Sequence, residues 1–486
     1  MNISESKGQN VWQLFHQLSQ IPRQSKHEEA VTKWLQTFAQ THHLSCQTDE
    51  AGSVVITIPA TKGYESAPGV ILQAHTDMVC EKTPQSTHNF STDAIEWVEK
   101  EGWLYGNETT LGADNGIGVC MALAIALEEN IEHPIIELLF TIDEETGLTG
   151  ANKLTSDFVS GTRLVNLDSE DEGVLTIGCA GGSDTIISLP LEIEAINISH
   201  DIYQINVSNL IGGHSGVNIH EQRGNAIHLL SRTLTKICQT FACHLITFTG
   251  GTAHNAIPRD ATALLTIPKD KLSNVSKEIN VIASQLKIEF SNTDGDLSIT
   301  MTEVSDPFHD RVMTARSTRD AIYMINALPH GVFRMAHEIP GIVETSNNLA
   351  QVSTDIDKCI LTANTSERSF NQFTLYHLSD KISQIANLAG ARAQQHQGYP
   401  PWQPQYNSQL KTICESVYQQ YANKPPVIEV IHAGLECGVI GEKYPNMEMI
   451  SFGPTIQNPH SPQERVNIES VDQVWAYLLM LLPALK

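Results

Sequence analysis

Acidic or imidazole side chains follow directly on apolar strands at three places along this chain. Val70–Ala74 is followed by His75, Ile135–Ile142 by the turn DEETG, and Arg163–Leu167 by Asp168. Between the first two strands, an Ala- and Leu-rich segment predicts a helix over about residues 119–129. Such alternation predicts β–α–β units, and open α/β sheets hold their ligands at the carboxyl ends of the strands. We therefore predict an α/β fold with its functional site at that edge.

The pattern of strands and helices changes in the middle of the chain. From about residue 186, longer alternating strands are interleaved with predicted helices, over 225–241, 271–286 and 375–394. The Pro-rich stretch GYPPWQPQ, at 398–405, marks a return to the first domain, and 486 residues suffice for two domains. We predict a discontinuous catalytic domain, 1–185 and 386–486, and an inserted α+β lid and dimerisation domain, 186–385.

Charge and composition argue against several classes of partner. A formal net charge of −25 disfavours nucleic acid and anionic lipid, because both require basic surface. Apolar stretches are too short for a membrane span, and the start MNISESKGQN lacks the character of a signal peptide. The nine cysteines form no CxxC pair and predict buried, reduced thiols. We therefore expect a soluble cytoplasmic protein.

Five short segments contribute imidazoles and carboxylates that could bind metal. They are HTD (His75, Asp77), GADNG (Asp114), DEETG (Glu144, Glu145), NLDSED (Asp168) and NPHSP (His460). Imidazole and carboxylate without thiolate suit a catalytic Zn²⁺, with Mn²⁺ or Co²⁺ as alternatives. If Asp77 and one of the two adjacent glutamates do not bind metal, two histidines and three carboxylates remain. These are too many ligands for one open tetrahedral site, but they fit two ions about 3.5–4 Å apart with Asp114 as the bridge.

Two of these segments also predict residues that act beside the metals. Asp77 stands two residues after His75 on an extended chain, so it can accept the second ring N–H of that ligand. Glu144 and Glu145 are neighbours whose side chains point differently, so one can bind metal while the other remains a general base. Each segment alone is more often a helix cap or a satisfied polar residue. Only the ordered set predicts a metal site.

The motifs HTDMV, GADNGIG, DEETG, NLDSE and PHSPQERV resemble those of the co-catalytic di-zinc peptidase and aminoacylase superfamily. Within it, the chain resembles the bacterial aminoacyl-histidine dipeptidases over essentially its full length, and IHAGLECG at 431–438 is the segment most like theirs. The resemblance implies a zinc-peptidase-type mixed sheet with flanking helices. It also implies hydrolysis of short peptides, preferentially Xaa-His dipeptides such as β-Ala-His, by a water that bridges two metals.

The resemblance further implies a role for individual residues. The implied ligands are His75 and Asp168 for one metal, Glu145 and His460 for the other, and Asp114 for both, with a cis peptide bond after Asp114. The implied catalytic residues are Asp77, which orients His75, Glu144 as general base, and His214 as oxyanion donor, from its own subunit or from a homodimer partner. Asn255 and Arg368 would hold the substrate.

Several alternatives remain open at this point. Arg259 and Arg334 compete with Arg368 for the substrate carboxylate. Glu436 could bind the amino terminus of the substrate or be a structural acid, and GGHSG could be a plain Gly-rich turn. The same metal site could serve a tripeptidase, an aminoacylase or a carboxypeptidase. The chain could also be a catalytically silent metal-binding protein on this fold.

Overall fold

The computed structural model describes residues 2–304 and 310–486. The chain divides into two compact units. The first unit comprises the chain up to Cys179 together with Trp402–Ile431 and Leu435–Lys486. The second unit comprises Ala180–Pro401 and His432–Gly434.

The α-helices and strands of the described chain have the following bounds. The helices are α1 Gln9–Leu18, α2 Glu29–Thr41, α3 Ala113–Ile125, α4 Glu144–Gly147, α5 Thr149–Lys153, α6 Ala226–Phe241, α7 Leu272–Glu289, α8 Ala315–Ala327, α9 Gln372–Leu388, α10 Gln409–Ala422, α11 Glu436–Lys443 and α12 Ile468–Ala484. The strands are β1 Ser45–Thr48, β2 Val54–Ile58, β3 Val70–His75, β4 Trp97–Lys100, β5 Trp103–Gly106, β6 Ile136–Thr141, β7 Arg163–Asn166, β8 Val174–Cys179, β9 Gly181–Pro190, β10 Ile193–Ala195, β11 His200–Ser208, β12 Gly213–His214, β13 His244–Gly250, β14 Ala256–Ile257, β15 Ala261–Pro268, β16 Ser298–Glu303, β17 Arg311–Met313, β18 Gly331–Met335, β19 Val343–Asp355, β20 Ile360–Ser369, β21 Arg392–Gln397, β22 Val427–Ile431, β23 Glu448–Ser451, β24 Ile456–Gln457 and β25 Arg465–Asn467.

The core of the first unit is a mixed sheet in the order β1-β2-β6-β3-β7-β23-β8-β22. Strands β6, β3 and β7 are parallel neighbours, with Val70 opposite both Ile136 and Arg163. Every residue of β3 and β6 is buried, as expected for parallel strands that helices cover on both faces. Helix α3 packs against β3 and α1. The mixed α/β sheet predicted from the sequence is therefore present.

The second unit is built on a larger sheet, in the order β16-β11-β15-β13-β19-β20-β9-β21, with β18 paired to the start of β19. Its pairings are antiparallel. Helix α6 buries Ile227, Leu230, Leu234 and Ile237, which recur every three or four residues and so share one face. That face packs against β11 and β15. The unit has the α+β character that the sequence predicts for the inserted segment.

The end of the second unit differs from the sequence prediction. The helix predicted over 375–394 ends at Leu388, because Gly390 has a φ of 82° and terminates it. Residues 392–397 instead form β21, which pairs with β9. The unit thus reaches Pro401 and begins at Ala180, whereas the predicted boundaries lay at 385 and 186. Cross-strand pairing here outweighs the helix propensity of Ala and Gln.

Within residues 2–304 and 310–486, no helix is both long enough and apolar enough to cross a bilayer. All nine cysteines are free. The prediction that all nine are buried is wrong for four of them, which are partly exposed: Cys46, Cys80, Cys238 and Cys359. Cys46, for example, lies on β1 at the edge of its sheet, where β1 pairs with β2 and with no other strand of the described residues.

Candidate metal centre

Parallel pairing of β6, β3 and β7 brings three polar segments to one edge of the first unit's sheet. His75, the last residue of β3, lies opposite Thr141, the last residue of β6, and the turn with Glu144 and Glu145 follows. Asp168 stands two residues beyond the end of β7. This is the sheet edge at which the sequence predicts the functional site.

Asp114 presents its two carboxylate oxygens to two different imidazoles. Oδ1 lies 3.1 Å from Nε2 of His75, and Oδ2 lies 3.1 Å from Nε2 of His460. Asp168 Oδ1 is 3.4 Å from the same His75 nitrogen, and Glu145 Oε2 is 3.1 Å from the same His460 nitrogen. The five residues predicted as ligands therefore form two adjoining groups that share Asp114.

The chemistry of these groups fits divalent cations. Ligand atoms of His75, Asp114 and Glu145 all lie within 4.8 Å of one another. The second oxygen of Glu145, Oε1, is buried and has no hydrogen-bond partner among the described residues. Hydrogen bonds to Asp114 and Glu145 raise the pKa of His460 to about 11. The carboxylates around His460 therefore favour positive charge at this position, and a metal bound by His460 would take the place of its ring proton.

Asp77 is buried behind His75 and joins it to the acidic turn. Its Oδ1 lies 3.3 Å from Nδ1 of His75 and accepts the backbone N–H of Glu144 at 3.0 Å. Its Oδ2 accepts the N–H of Glu145 at 3.2 Å and the hydroxyl of Ser25 at 2.8 Å. Burial acts to raise the pKa of Asp77, but His75 and these hydrogen bonds lower it to about 2. One ionised carboxylate therefore contacts both a predicted metal ligand, His75, and the backbone of the neighbouring acids.

Several carboxyl groups lie close together at this edge of the sheet and raise one another's pKa values. Burial raises the pKa of Glu144 well above its usual value, and the charges of Asp168, Glu436 and Glu145 add to that rise while His75 opposes it. Burial likewise raises the pKa of Asp168 to about 6. Bound cations would favour the ionised forms. The arrangement thus supplies a carboxylate, Glu144, that can exchange a proton beside positive charge.

Two residues that the sequence reasoning did not single out hold the Asp114 loop. The Glu464 carboxylate accepts four consecutive backbone N–H groups, those of residues 111–114, at 2.7, 2.9, 2.8 and 3.3 Å. The buried Arg23 donates to the carbonyls of Thr76 and Asp77, both at 2.9 Å, and to that of Gly112 at 2.5 Å. The Asp114-Asn115 peptide bond is cis, as the resemblance implied.

These two residues differ in the signal they leave in the sequence. Glu464 lies in the quoted motif PHSPQERV, four residues after His460, so the motif itself marked it. Arg23 lies in no motif, and its partners are backbone carbonyls, which the sequence cannot reveal.

Glu436 is wholly buried beneath the predicted ligands. Its Oε2 accepts hydrogen bonds from Gln73 Nε2 and Thr141 Oγ1, both at 2.6 Å. Gln73 in turn accepts from Asn166 Nδ2 at 2.5 Å, which links β3 to β7. Burial raises the pKa of Glu436 to about 7. Full burial among strand residues favours a structural role over contact with the amino terminus of a substrate.

In the second unit, His214 is held as a neutral hydrogen-bond donor. Its Nδ1 accepts the N–H of Gly216 at 3.1 Å, which leaves the ring proton on Nε2. Burial lowers the pKa of His214, and the positive charge of Arg368 lowers it further. Asn255 supports this loop, because its carbonyl accepts the N–H of the residue after His214 at 2.8 Å. Asp294 accepts backbone N–H groups on both sides of the loop at 2.8 and 2.7 Å.

The three arginines considered for a substrate carboxylate have different surroundings. Arg368 is 8% exposed, donates from Nη1 to the hydroxyl of Tyr399 at 2.8 Å, and has no carboxylate within ion-pair distance among the described residues. Arg334 is 57% exposed and lies 3.3 Å from Glu344. Arg259 donates to a backbone carbonyl at 3.1 Å. Arg368 is therefore the buried cation of the three without a counter-ion.

Comparisons with known proteins identify the family of the chain. The model of peptidase family M20/M25/M40 matches residues 71–483. Cytosol non-specific dipeptidase of Escherichia coli (strain K12) is 37% identical over 485 residues, which cover 99% of this chain and 98% of that protein. The structure of aminoacylhistidine dipeptidase from Vibrio alginolyticus matches with a TM-score of 0.93 and 38% identity, over 100% of this chain and 98% of that one. Aminopeptidase PepT from Bacillus cereus has a TM-score of 0.57 at 14% identity over 99% of both chains, a likeness of fold alone. The resemblance indicated by the motifs is confirmed.

Proposed function

The chain belongs to peptidase family M20/M25/M40, and we propose that it is a metallo-dipeptidase with two divalent ions in the site shared by Asp114. The observation that carries the proposal is the division of the Asp114 carboxylate between His75 and His460, 3.1 Å from each. A single aspartate with one imidazole on each oxygen suits two cations side by side.

Two sets of residues would hold the metals. His75, Asp168 and Oδ1 of Asp114 would bind one ion, and His460, Glu145 and Oδ2 of Asp114 the other. Imidazole and carboxylate donors suit Zn²⁺ best, with Mn²⁺ or Co²⁺ as alternatives. When bound, the ions supply Lewis acidity that polarises the scissile carbonyl and makes water more acidic.

The remaining steps belong to side chains of this protein. Glu144 takes a proton from the water that attacks the peptide carbonyl, and it later gives that proton to the leaving amine, so that an acid and an amine result. Asp77 keeps Nε2 of His75 free for metal by holding its Nδ1–H. His214 donates from Nε2 to the oxyanion, in the same subunit or from a partner subunit. Asn255 and Arg368 hold the substrate, and Arg368 pairs with its carboxylate.

The proposed substrates are short peptides, preferentially Xaa-His dipeptides such as β-Ala-His. The name aminoacylhistidine dipeptidase supports the preference for His, whereas the name non-specific dipeptidase supports a wider range. The deciding experiment measures kcat/KM for β-Ala-His, Gly-His, other dipeptides, tripeptides and N-acyl amino acids with Zn²⁺, Mn²⁺ or Co²⁺. Faster turnover of tripeptides or N-acyl amino acids than of every dipeptide would replace this proposal with a related amide hydrolase.

A catalytically silent metal-binding protein is the second candidate. The presence of Glu144 near all five proposed ligands supports catalysis instead. Treatment with a chelator, followed by metal repletion, separates the two: reversible loss of turnover supports the peptidase. An inactive protein that binds metal would support the silent alternative.

A cytosolic location and a homodimer complete the proposal. The name cytosol non-specific dipeptidase supports the location. The exposed strand β18 in the second unit, which pairs with β19, offers an edge on which a second copy could form a strand pair. Light scattering of the purified protein tests the dimer.

A further inference from the structure

The backbone of Tyr399, whose side chain contacts Arg368, is held by hydrogen bonds and by the prolines that follow it. Its backbone carbonyl accepts the N–H of Gly182 at 3.0 Å, and the carbonyl of Gly182 accepts the N–H of Gly398 at 3.2 Å. Two prolines follow Tyr399, and a residue before proline is restricted to extended backbone. The main chain at Tyr399 is therefore fixed from both sides.

The ring of Tyr399 fits between two glycines. A Cβ atom on Gly434 would lie 2.6 Å from Cε2 of the ring, and one on Gly182 would lie 3.0 Å from Cε1. Gly182 is also the residue opposite Arg368 in the pairing of β9 with β20. The missing side chain at Gly182 thus leaves room for the tyrosine to reach the arginine across the strand pair.

Arg368 has a buried charge with little protein compensation. Its Nη1 donates to the Tyr399 hydroxyl at 2.8 Å, and its Nε is buried and has no hydrogen-bond partner among the described residues. A buried guanidinium without a counter-ion is costly and calls for an anion. Since guanidinium pairs with carboxylate through two parallel hydrogen bonds, its orientation decides how well that anion binds.

We propose that Tyr399 is a positioning residue, which orients the Arg368 guanidinium for the C-terminal carboxylate of the dipeptide and so sets discrimination against peptides lacking it. The inference rests on the proposed function, and it adds a residue that touches the arginine rather than the reacting atoms. Tyr399→Phe keeps the ring between the glycines and removes the hydroxyl that accepts from Arg368.

The test compares Gly-His with its C-terminal amide in the metal-loaded enzyme. Tyr399→Phe should raise KM for Gly-His about ten- to a hundredfold, because it loses one hydrogen bond to a charged group, and leave kcat within about twofold. Hydrolysis of the amide should change less than about twofold. In an Arg368→Met background, Tyr399→Phe should add nothing further.

Tyr376→Phe is the matched control. The Tyr376 hydroxyl accepts from Gln372 on α9 at 2.7 Å, so this variant also loses one hydroxyl in the second unit and should leave both substrates unaffected. Gly434→Ala, which displaces the Tyr399 ring, should reproduce the rise in KM for Gly-His, with folding checked by thermal unfolding.

The outcomes separate the inference from the function it depends on. Equal effects of Tyr399→Phe on peptide and amide, or additive effects with Arg368→Met, would overturn the inference alone. If Arg368→Met left the preference for a free carboxylate intact, the proposed pairing of Arg368 with the substrate carboxylate would be wrong as well. A wild-type enzyme that cleaves no dipeptide would overturn both.

Discussion

The carboxylate of Glu464 accepts the backbone N–H of Asp114 at 3.3 Å, and it also accepts the N–H groups of the three residues before it. Both of its oxygens are used, and Glu464 is 2% exposed. The loop that carries Asp114, the proposed shared ligand, therefore wraps around one buried carboxylate. Glu464 is not one of the proposed ligands, yet it holds the backbone of the residue that would bind both metals.

Glu464→Gln should damage both stability and metal binding. The amide nitrogen would face N–H groups that need an acceptor, which leaves buried donors unsatisfied at a cost of about 2–4 kcal/mol. Denaturant unfolding measures the loss, and titration with Zn²⁺ should show weaker binding. Glu469→Gln, an exposed change in the first turn of α12, should alter the free energy of unfolding by less than about 0.5 kcal/mol.

Asp114→Ala should remove both metals rather than one. Each proposed ion takes one oxygen of this carboxylate, so its loss leaves each ion with one imidazole and one carboxylate. Elemental analysis after dialysis should find both ions in the wild type and neither in the variant. Asp93→Asn, in an exposed loop, should retain both. An Asp114→Ala protein that kept both ions would contradict the bridging role.

Glu144→Gln should abolish turnover while the metals stay bound. The side chain of Gln has nearly the same shape but cannot accept a proton, and general bases contribute about 10²–10⁴-fold to rate. We expect kcat for Gly-His to fall by that factor, with metal content unchanged by elemental analysis. The exposed Glu129→Gln is the control. Near-normal turnover in the Glu144 variant would remove its assignment as base.

The sequence alone singled out the five proposed ligands, which the structure brings together, because each follows a strand or lies in a short motif. His75 and Asp168 could be placed at one sheet edge from chain pattern alone, since parallel strands end together. The contacts of Glu464 and Arg23 could not be predicted, although Glu464 lies in the motif PHSPQERV, because their partners are backbone groups made available only by the folded loops. The hydrogen bond between Gln73 and Glu436 could not be predicted either, because 363 residues separate the two in the sequence.

The fold prediction succeeded where apolar periodicity was strong and failed where tertiary pairing decided the structure. The predicted strand over residues 54–58 is β2 as observed. The polar segment RAQQHQ has little β propensity, yet it forms β21 because β9 lies beside it. Gly390 was the available signal, since a glycine after a helical pattern commonly marks its end.

We expect Glu367 on β20 to make the stability of the second unit depend on pH. The residue is fully buried, and its carboxylate accepts hydroxyl hydrogen bonds from Thr365 at 2.5 Å, Thr185 at 3.0 Å and Ser379 at 3.1 Å. Burial raises its pKa to about 8, the charge of Asp184 acts in the same direction, and the hydroxyls oppose it. The folded state thus binds a proton that the unfolded state releases at its ordinary carboxyl pKa. Stability is therefore lost as pH rises from about 4.5 to 8.

Glu367→Gln should remove this loss, because an amide accepts hydrogen bonds without becoming charged. At pH 9 the variant should be more stable than the wild type by about 1–3 kcal/mol, since one pKa unit corresponds to about 1.4 kcal/mol. At pH 5 the two should be nearly equal, because the wild-type side chain is then neutral as well. Thermal unfolding at pH 5, 7 and 9 measures the difference, with the exposed Glu303→Gln as control. A stability gap that does not grow with pH would show that Glu367 is ionised in the folded protein throughout this range.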